Sequence, residues 1–98
     1  MPHGIRFEEH VEADLVEASL WHDRQQPNLG DRFLSAVFET LDRIAGMPLA
    51  YPRVRGETRR ALVWDFRYAV YFRVDGDDVA ILAVMHTSRD PRRWQSRL

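Results

Sequence analysis

The chain contains no cysteine, which excludes disulfides and thiol chemistry and leaves its redox compartment open. It contains no lysine either: all 14 basic residues are arginine. A codon bias toward arginine is the bland explanation. The chemical consequence is firm, because a lysine Schiff base or lysine general base is impossible and arginine stays protonated at neutral pH. No apolar run reaches the length of a bilayer span, and the first ten residues, MPHGIRFEEH, lack the apolar centre of a signal peptide. Internal repeats, low-complexity tracts and linkers are missing. A sequence of 98 residues with 45% apolar residues is therefore expected to form one soluble, cytoplasmic domain spanning 1–98.

The net charge of −1 conceals an asymmetry. Met1 to Pro52 carries four arginines against nine acids, and Arg53 to Leu98 carries ten arginines against six acids. A positive half on a small domain suits an acidic partner or a phosphate backbone. In the acidic half, His3 to Phe7 reads as a short strand. Glu8 to Gln26 reads as a helix, with Val11, Leu15, Ala18 and either Trp21 or His22 recurring at helical spacing. Pro27-Asn28-Leu29-Gly30 breaks it, and Asn28 or Asp31 is expected to cap a second helix, Asp31 to Ala45. That helix has a strong apolar stripe, Phe33/Val37/Leu41/Ile44, which is core. Gly46 and Pro48 end it, and the two helices form an antiparallel hairpin.

Leu49 to Thr58 is expected to be a loop. Three strands follow: Arg60 to Asp65, Phe66 to Val74 and Val79 to Met85. In the second, Tyr68, Val70, Phe72 and Val74 alternate with Arg67, Ala69, Tyr71 and Arg73, as in a half-buried strand. Asp75-Gly76-Asp77-Asp78 is a hairpin turn. The third is apolar on both faces and reads as a central strand. One helical turn is expected after Asp90-Pro91. The predicted fold is α+β: strand, helix, helix and a three-strand antiparallel meander, with the helical hairpin on one face of the sheet. The other face, bearing arginines, is expected to be free.

Taken together, several stretches resemble the RelE/ParE superfamily of toxins from bacterial type II toxin–antitoxin modules. They are D-R-F-L-S-A-V-F-E-T-L-D-R-I-A with its following M-P, the R-R before the meander, Y-x-V-Y-F-R-V-D-G-D, V-A-I-L-A-V-M-H, and R-D-P-R-R-W. The resemblance covers nearly the whole chain. It implies neutralisation by a cognate antitoxin, contact with operator DNA only through that antitoxin, no cofactor and no metal. The superfamily's two target classes are the ribosome, where RelE-like members cut mRNA, and DNA gyrase, which ParE-like members inhibit. RelE-like nucleases commonly carry an arginine in a Y-R-x-x-Y pattern; here Tyr68-Ala69-Val70-Tyr71 puts Ala69 in that place. The tail from His86 to Asp90 looks ParE-like. A ParE-like growth inhibitor that binds gyrase without catalysis is the expected function. The alternatives are a ribosome-dependent endonuclease using His86 with Arg67 and Arg73, and a non-toxic relative that binds antitoxin only.

The residues expected to meet the target are Arg59, Arg60, Arg67, Tyr71, Arg73, His86, Arg89, Arg93 and Trp94. Guanidiniums grip carboxylates or phosphates, and Tyr71 offers a stacking plane. Each has a plainer structural reading. Arg67 and Arg73 would lie on a solvated sheet face, paired with acids such as Asp65. Arg59 and Arg60 point to opposite faces, so one would only cover surface. His86 would cap a strand end, and Trp94 would fold back on the helices and anchor the terminus. His10, Asp14 and Glu17 share a helix face, as a metal trio or, more simply, as solvated polar groups. Trp21 and Trp64 are core or antitoxin contacts. The antitoxin is expected in an apolar groove across helix hairpin and meander, with arginines at its rim.

Overall fold

The computed structural model describes residues 2–98. Strand β1 (Gly4–Phe7) leads into helices α1 (Val11–Gln25) and α2 (Leu29–Gly46). A single turn of 3-10 helix (Pro48–Ala50) precedes strands β2 (Arg53–Arg55), β3 (Thr58–Val63), β4 (Tyr68–Asp75) and β5 (Asp78–His86), and a short helix α3 (Arg92–Gln95) ends the chain. The sheet order is β1-β5-β4-β3-β2; β1 runs parallel to β5 and every other pair is antiparallel. The α+β arrangement expected from the sequence is therefore present, with two additions. The stretch expected to be a loop contributes the edge strand β2, and β1 joins the meander beside β5.

Both helices lie on one face of this sheet. Val11, Leu15 and Ala18 of α1 and Phe33, Val37, Leu41 and Ile44 of α2 pack on Ala61, Val63, Val70, Phe72, Val79, Ile81 and Val84. Full burial of Phe33 and Phe72 contributes about 2–3 kcal/mol each, so this face dominates the stability. The hairpin between the helices is tight because Gly30 touches the Ser19 carbonyl and the Asp23 side chain, where a Cβ would collide. Asn28 caps by position only, and Asp31 does not cap. Asn28 takes the N-cap position in a left-handed conformation without a side-chain bond, and Asp23 Oδ1 of α1 accepts the Gly30 N–H at 2.7 Å. Between Trp21 and His22 the fold selects His22 for the interior. His22 continues the spacing of Val11, Leu15 and Ala18, its Nδ1 lies 2.7 Å from the Ala18 carbonyl, and its ring stacks on Phe33 at 4.6 Å.

The meander obeys its turn chemistry. Asp75 pairs with Asp78, and Gly76 supplies the positive φ of 62° at the hairpin tip. The β3–β4 connection departs from expectation. Strand β3 ends at Val63 and β4 starts at Tyr68, because Asp65 and Arg67 both take left-handed φ values, 71° and 53°. Arg67 is thus a turn residue outside the strand, and it shares no strand face with Arg73. Strand β5 is central, as expected, and Val79–Met85 is buried throughout. Its pairing with β4 skips Leu82: Tyr71 faces Ala83 while Phe72 faces Ile81. This bulge inverts the alternation, so that Val79 and Ile81 before it, and Val84 after it, all meet the helices.

The second face of the sheet is not left free. Ala69, Tyr71, Ala83 and Met85 form a small second core closed by Trp94 of α3. The Trp94 ring lies flat on Tyr71, 4.4 Å between centroids and 13° between planes. Trp94 anchors the terminus, but on this sheet face instead of on the helices.

Candidate functional site

Strand β1 ends at Phe7, so the outer edge of β5 beyond Ile81 has no strand partner. Side chains occupy it. Asp14 on α1 accepts the Val84 N–H through Oδ2 at 3.0 Å. The same carboxylate holds Arg97 in a two-pronged pair, Nη1 to Oδ2 at 2.6 Å and Nη2 to Oδ1 at 2.8 Å. Arg97 Nη1 also donates to the Leu82 carbonyl at 3.2 Å. Asp14 and Arg97 therefore satisfy the open edge and bind the C-terminal segment to it. Asp14 is neither a solvated acid nor a metal ligand in waiting, and no cluster of three or more His, Cys, Asp or Glu suited to a metal occurs among the described residues.

The edge and its clasp form the floor of a groove of about 520 Å³ between α1, the end of β5 and the tail. Trp21, Arg24 and Glu17 line it from the helix side, and Tyr68, His86, Arg89 and Arg93 from the sheet and tail. Trp21, turned out of the core, is 48% exposed. His86 Nδ1 accepts the Ser88 N–H at 3.1 Å and lies 2.7 Å from Ser88 Oγ. A backbone N–H can only donate, so the neutral ring carries its proton on Nε2. The His86 ring meets Tyr68 edge-on at 5.3 Å. Burial pushes the Tyr68 phenol above its ordinary value; Arg89 draws it partly back and Glu17 adds to the rise. Tyr68 is therefore a hydrogen-bond donor at neutral pH. Arg89 reaches Glu17 only at 3.9 Å, and Arg24 and Arg93 pair with no acid among the described residues.

Of the residues expected from the sequence, the groove gathers His86, Arg89 and Arg93. The others sit elsewhere. Arg59 donates to the Tyr51 carbonyl at 2.6 Å and to the Leu49 carbonyl at 3.5 Å, holding the loop after α2. Arg60 is exposed on β3 opposite Tyr71. Arg67 is exposed in its turn. Arg73 lines a separate hollow of about 780 Å³, shared with Glu8, Glu9 and Arg93. Tyr71 and Trp94 are stacked on each other and offer no open ring face to a partner on that side. Arg67 sits beside His86, its carbonyl accepting the Thr87 N–H at 2.8 Å, but Arg73 does not join them. His86 pairs with Tyr68 and Arg73 with Ala80, six residues back along β5, a separation of roughly 20 Å. Trp64 is exposed beneath the Arg43 guanidinium, 4.4 Å from the ring centroid.

Sequence reasoning missed Arg24, Tyr68 and the Asp14–Arg97 clasp; of the two readings offered for Trp21, core or partner contact, the fold excludes the core. Arg93 and Arg97 stand four apart on the tail, and Asp14 stands three residues from Val11 and four from Ala18, at the edge of the α1 core stripe. Those spacings were the available signal.

The family profile described as the ParE toxin of type II toxin–antitoxin systems, parDE, matches residues 5–91. Toxin ParE2 of Mycobacterium tuberculosis is 27% identical over 99 residues, covering 100% of this chain and 94% of that protein. Among solved structures, a chain of the chromosomal ParDE system of P. aeruginosa superimposes with a TM-score of 0.76 at 15% identity, covering 86% of this chain and 95% of that one. That likeness is one of fold. A chain of the toxin–antitoxin complex RelBE2 of Mycobacterium tuberculosis gives a TM-score of 0.65 at 26% identity, covering 88% and 99%. With the profile spanning all five strands and both long helices, the chain belongs to the ParE toxin family of type II toxin–antitoxin systems.

Proposed function

We propose that this toxin, one domain over residues 1–98, arrests growth in the cytoplasm by binding DNA gyrase, and that a cognate antitoxin neutralises it. A plasmid-stabilising role fits the same reading, with operator DNA reached only through the antitoxin. The observation that carries it is the family match, joined to the structure around Ala69. Ala69 stands where RelE-like nucleases commonly place an arginine, and it is 0% exposed beneath Trp94. No phosphate can be gripped from that position. The nuclease alternative needs a base, an acid and cations around one phosphate. Arg73 lies too far from His86 to join them. The helix hairpin offers exposed Val16, Leu20 and Phe38 as apolar surface for an antitoxin segment, and the arginines beyond Arg53 suit acids on that segment.

A supercoiling assay with purified gyrase tests this reading. Excess toxin should inhibit supercoiling, and adding the antitoxin should restore it. Unchanged supercoiling alongside intact growth arrest would sink the gyrase assignment. Cuts within codons of translated mRNA, read by primer extension, would replace it with the nuclease.

A further inference from the structure

The groove between α1 and the tail gathers positive charge that has little acidic partner within the fold. Three guanidiniums, of Arg24, Arg89 and Arg93, approach it from different elements, and only Arg89 has an acid near it, at 3.9 Å. The remaining charge on the floor cancels, because Asp14 and Arg97 neutralise each other. Elsewhere in the chain several arginines are committed, and Arg32, Arg60 and Arg67, which meet no acid among the described residues, line neither hollow. Arg6 holds Asp75 and Glu8, Arg53 meets Glu57, Arg55 meets Gln95, Arg59 meets carbonyls, and Arg92 holds Asp90 at 2.6 Å. A cavity with uncommitted guanidiniums is an anion site by charge.

Two features narrow the anion. Trp21 stands on one wall with about half its surface exposed, although its ring would gain by burial; it offers a plane for another flat ring. The groove is also short. Beyond Arg93 the next hollow mixes Glu8 and Glu9 with Arg73 and Arg97, so the run of unopposed guanidiniums stops there. A space of about 520 Å³ takes one small ligand and no extended strand. Arg89 and Arg93 on the tail side ask for several negative charges on that ligand, and the exposed indole of Trp21, one helical turn from Arg24, asks for an aromatic ring on the helix side.

We propose that the groove binds a free nucleotide carrying two or more phosphates, its base against Trp21 and Arg24 and its phosphates on Arg89 and Arg93. Tyr68 Oη and His86 Nε2 supply further donors between the two sides. Nothing in this assignment depends on the toxin's target.

The test is titration of the full-length toxin with ATP, followed by tryptophan fluorescence and by thermal melting. ATP should bind saturably and raise the melting temperature. Arg24→Gln and Arg93→Gln remove one charged contact each and should each weaken binding about tenfold or more. Both side chains are exposed, so circular dichroism of the variants should match the parent. Arg32→Gln, on the outside of α2 and away from both hollows, should bind ATP as the parent does. Trp21→Leu should weaken ATP but leave tripolyphosphate unchanged. No saturable binding at millimolar ATP, or binding indifferent to both arginine substitutions, overturns the proposal. Tripolyphosphate binding as tightly as ATP to the parent shows a base-blind anion pocket and overturns it too. So does tighter binding of a short single-stranded oligonucleotide, which would make the groove a strand site. Supercoiling measured on the same preparations keeps the two readings apart: toxin that inhibits gyrase but binds no ATP refutes only the nucleotide site.

Discussion

At the scale of single residues, Asp14 does the most with one side chain. Its two oxygens accept the Val84 N–H and both prongs of Arg97, and it is the less exposed member of the pair, 11% against 21%. The two partners are not equivalent on removal. Replacing Arg97 with Met leaves Asp14 still bonded to Val84 and able to draw water. Replacing Asp14 with Ala strands a backbone N–H and a half-buried guanidinium together. Breaking a buried charged pair costs about 3–5 kcal/mol, and partial exposure lowers that. Asp14→Ala should therefore cost about 2–3 kcal/mol and Arg97→Met about half as much, measured as urea midpoints at pH 7. Equal losses would mean that the Val84 bond contributes nothing.

At the scale of elements, α3 cannot stand alone. Four residues are far below the length at which a helix is stable in water. Its place depends on the Trp94 stack, the Arg97 clasp and the 2.9 Å bond from Arg55 to Gln95 across to the edge strand. Of these, Trp94 buries the most area. Trp94→Ala should cost about 3 kcal/mol or more and release the tail, uncovering Tyr71 and Met85. The checks are increased binding of a hydrophobic dye and faster tryptic cleavage after Arg92 and Arg93, with the helix-covered core intact by circular dichroism. A Trp94→Phe variant should keep the tail docked. If Trp94→Ala leaves cleavage rates unchanged, the stack is incidental and Arg97 alone holds the tail.

At the scale of the whole molecule, the layers were legible in the sequence because period and punctuation set them. The α2 stripe, the Asp75–Asp78 turn, the apolar β5 and the helical turn after Pro91 each follow from local chemistry. What stayed hidden depends on contacts between distant residues. The bulge at Leu82 leaves no mark in a run that is apolar on both faces, and left-handed Arg67 has no sequence signal, so the expected arginine face was drawn one turn too far. The same long-range character marks the ion pairs that close the fold. Arg6 on β1 reaches Asp75 at 2.9 Å, Glu8 at 3.3 Å and Asp78 at 3.5 Å, tying the parallel edge strand to the meander hairpin. The hydrogen bond and charge of Arg6 hold the Asp75 carboxyl below its usual value, and Arg92 does the same for Asp90. A carboxyl lowered by folding adds stability above its unfolded pKa, which is lost as pH falls through the lower folded value. These exposed pairs are individually weak and screened by salt. Their joint signature is a loss of stability as pH falls below the ordinary carboxylate value of 3.8. Arg6→Gln should lower the urea midpoint at pH 6 slightly and flatten that acid limb, and added salt should shrink the difference between variant and parent. An acid limb equally steep in the variant would show that β1 is held by its backbone pairing to β5, with the Arg6 charges adding nothing.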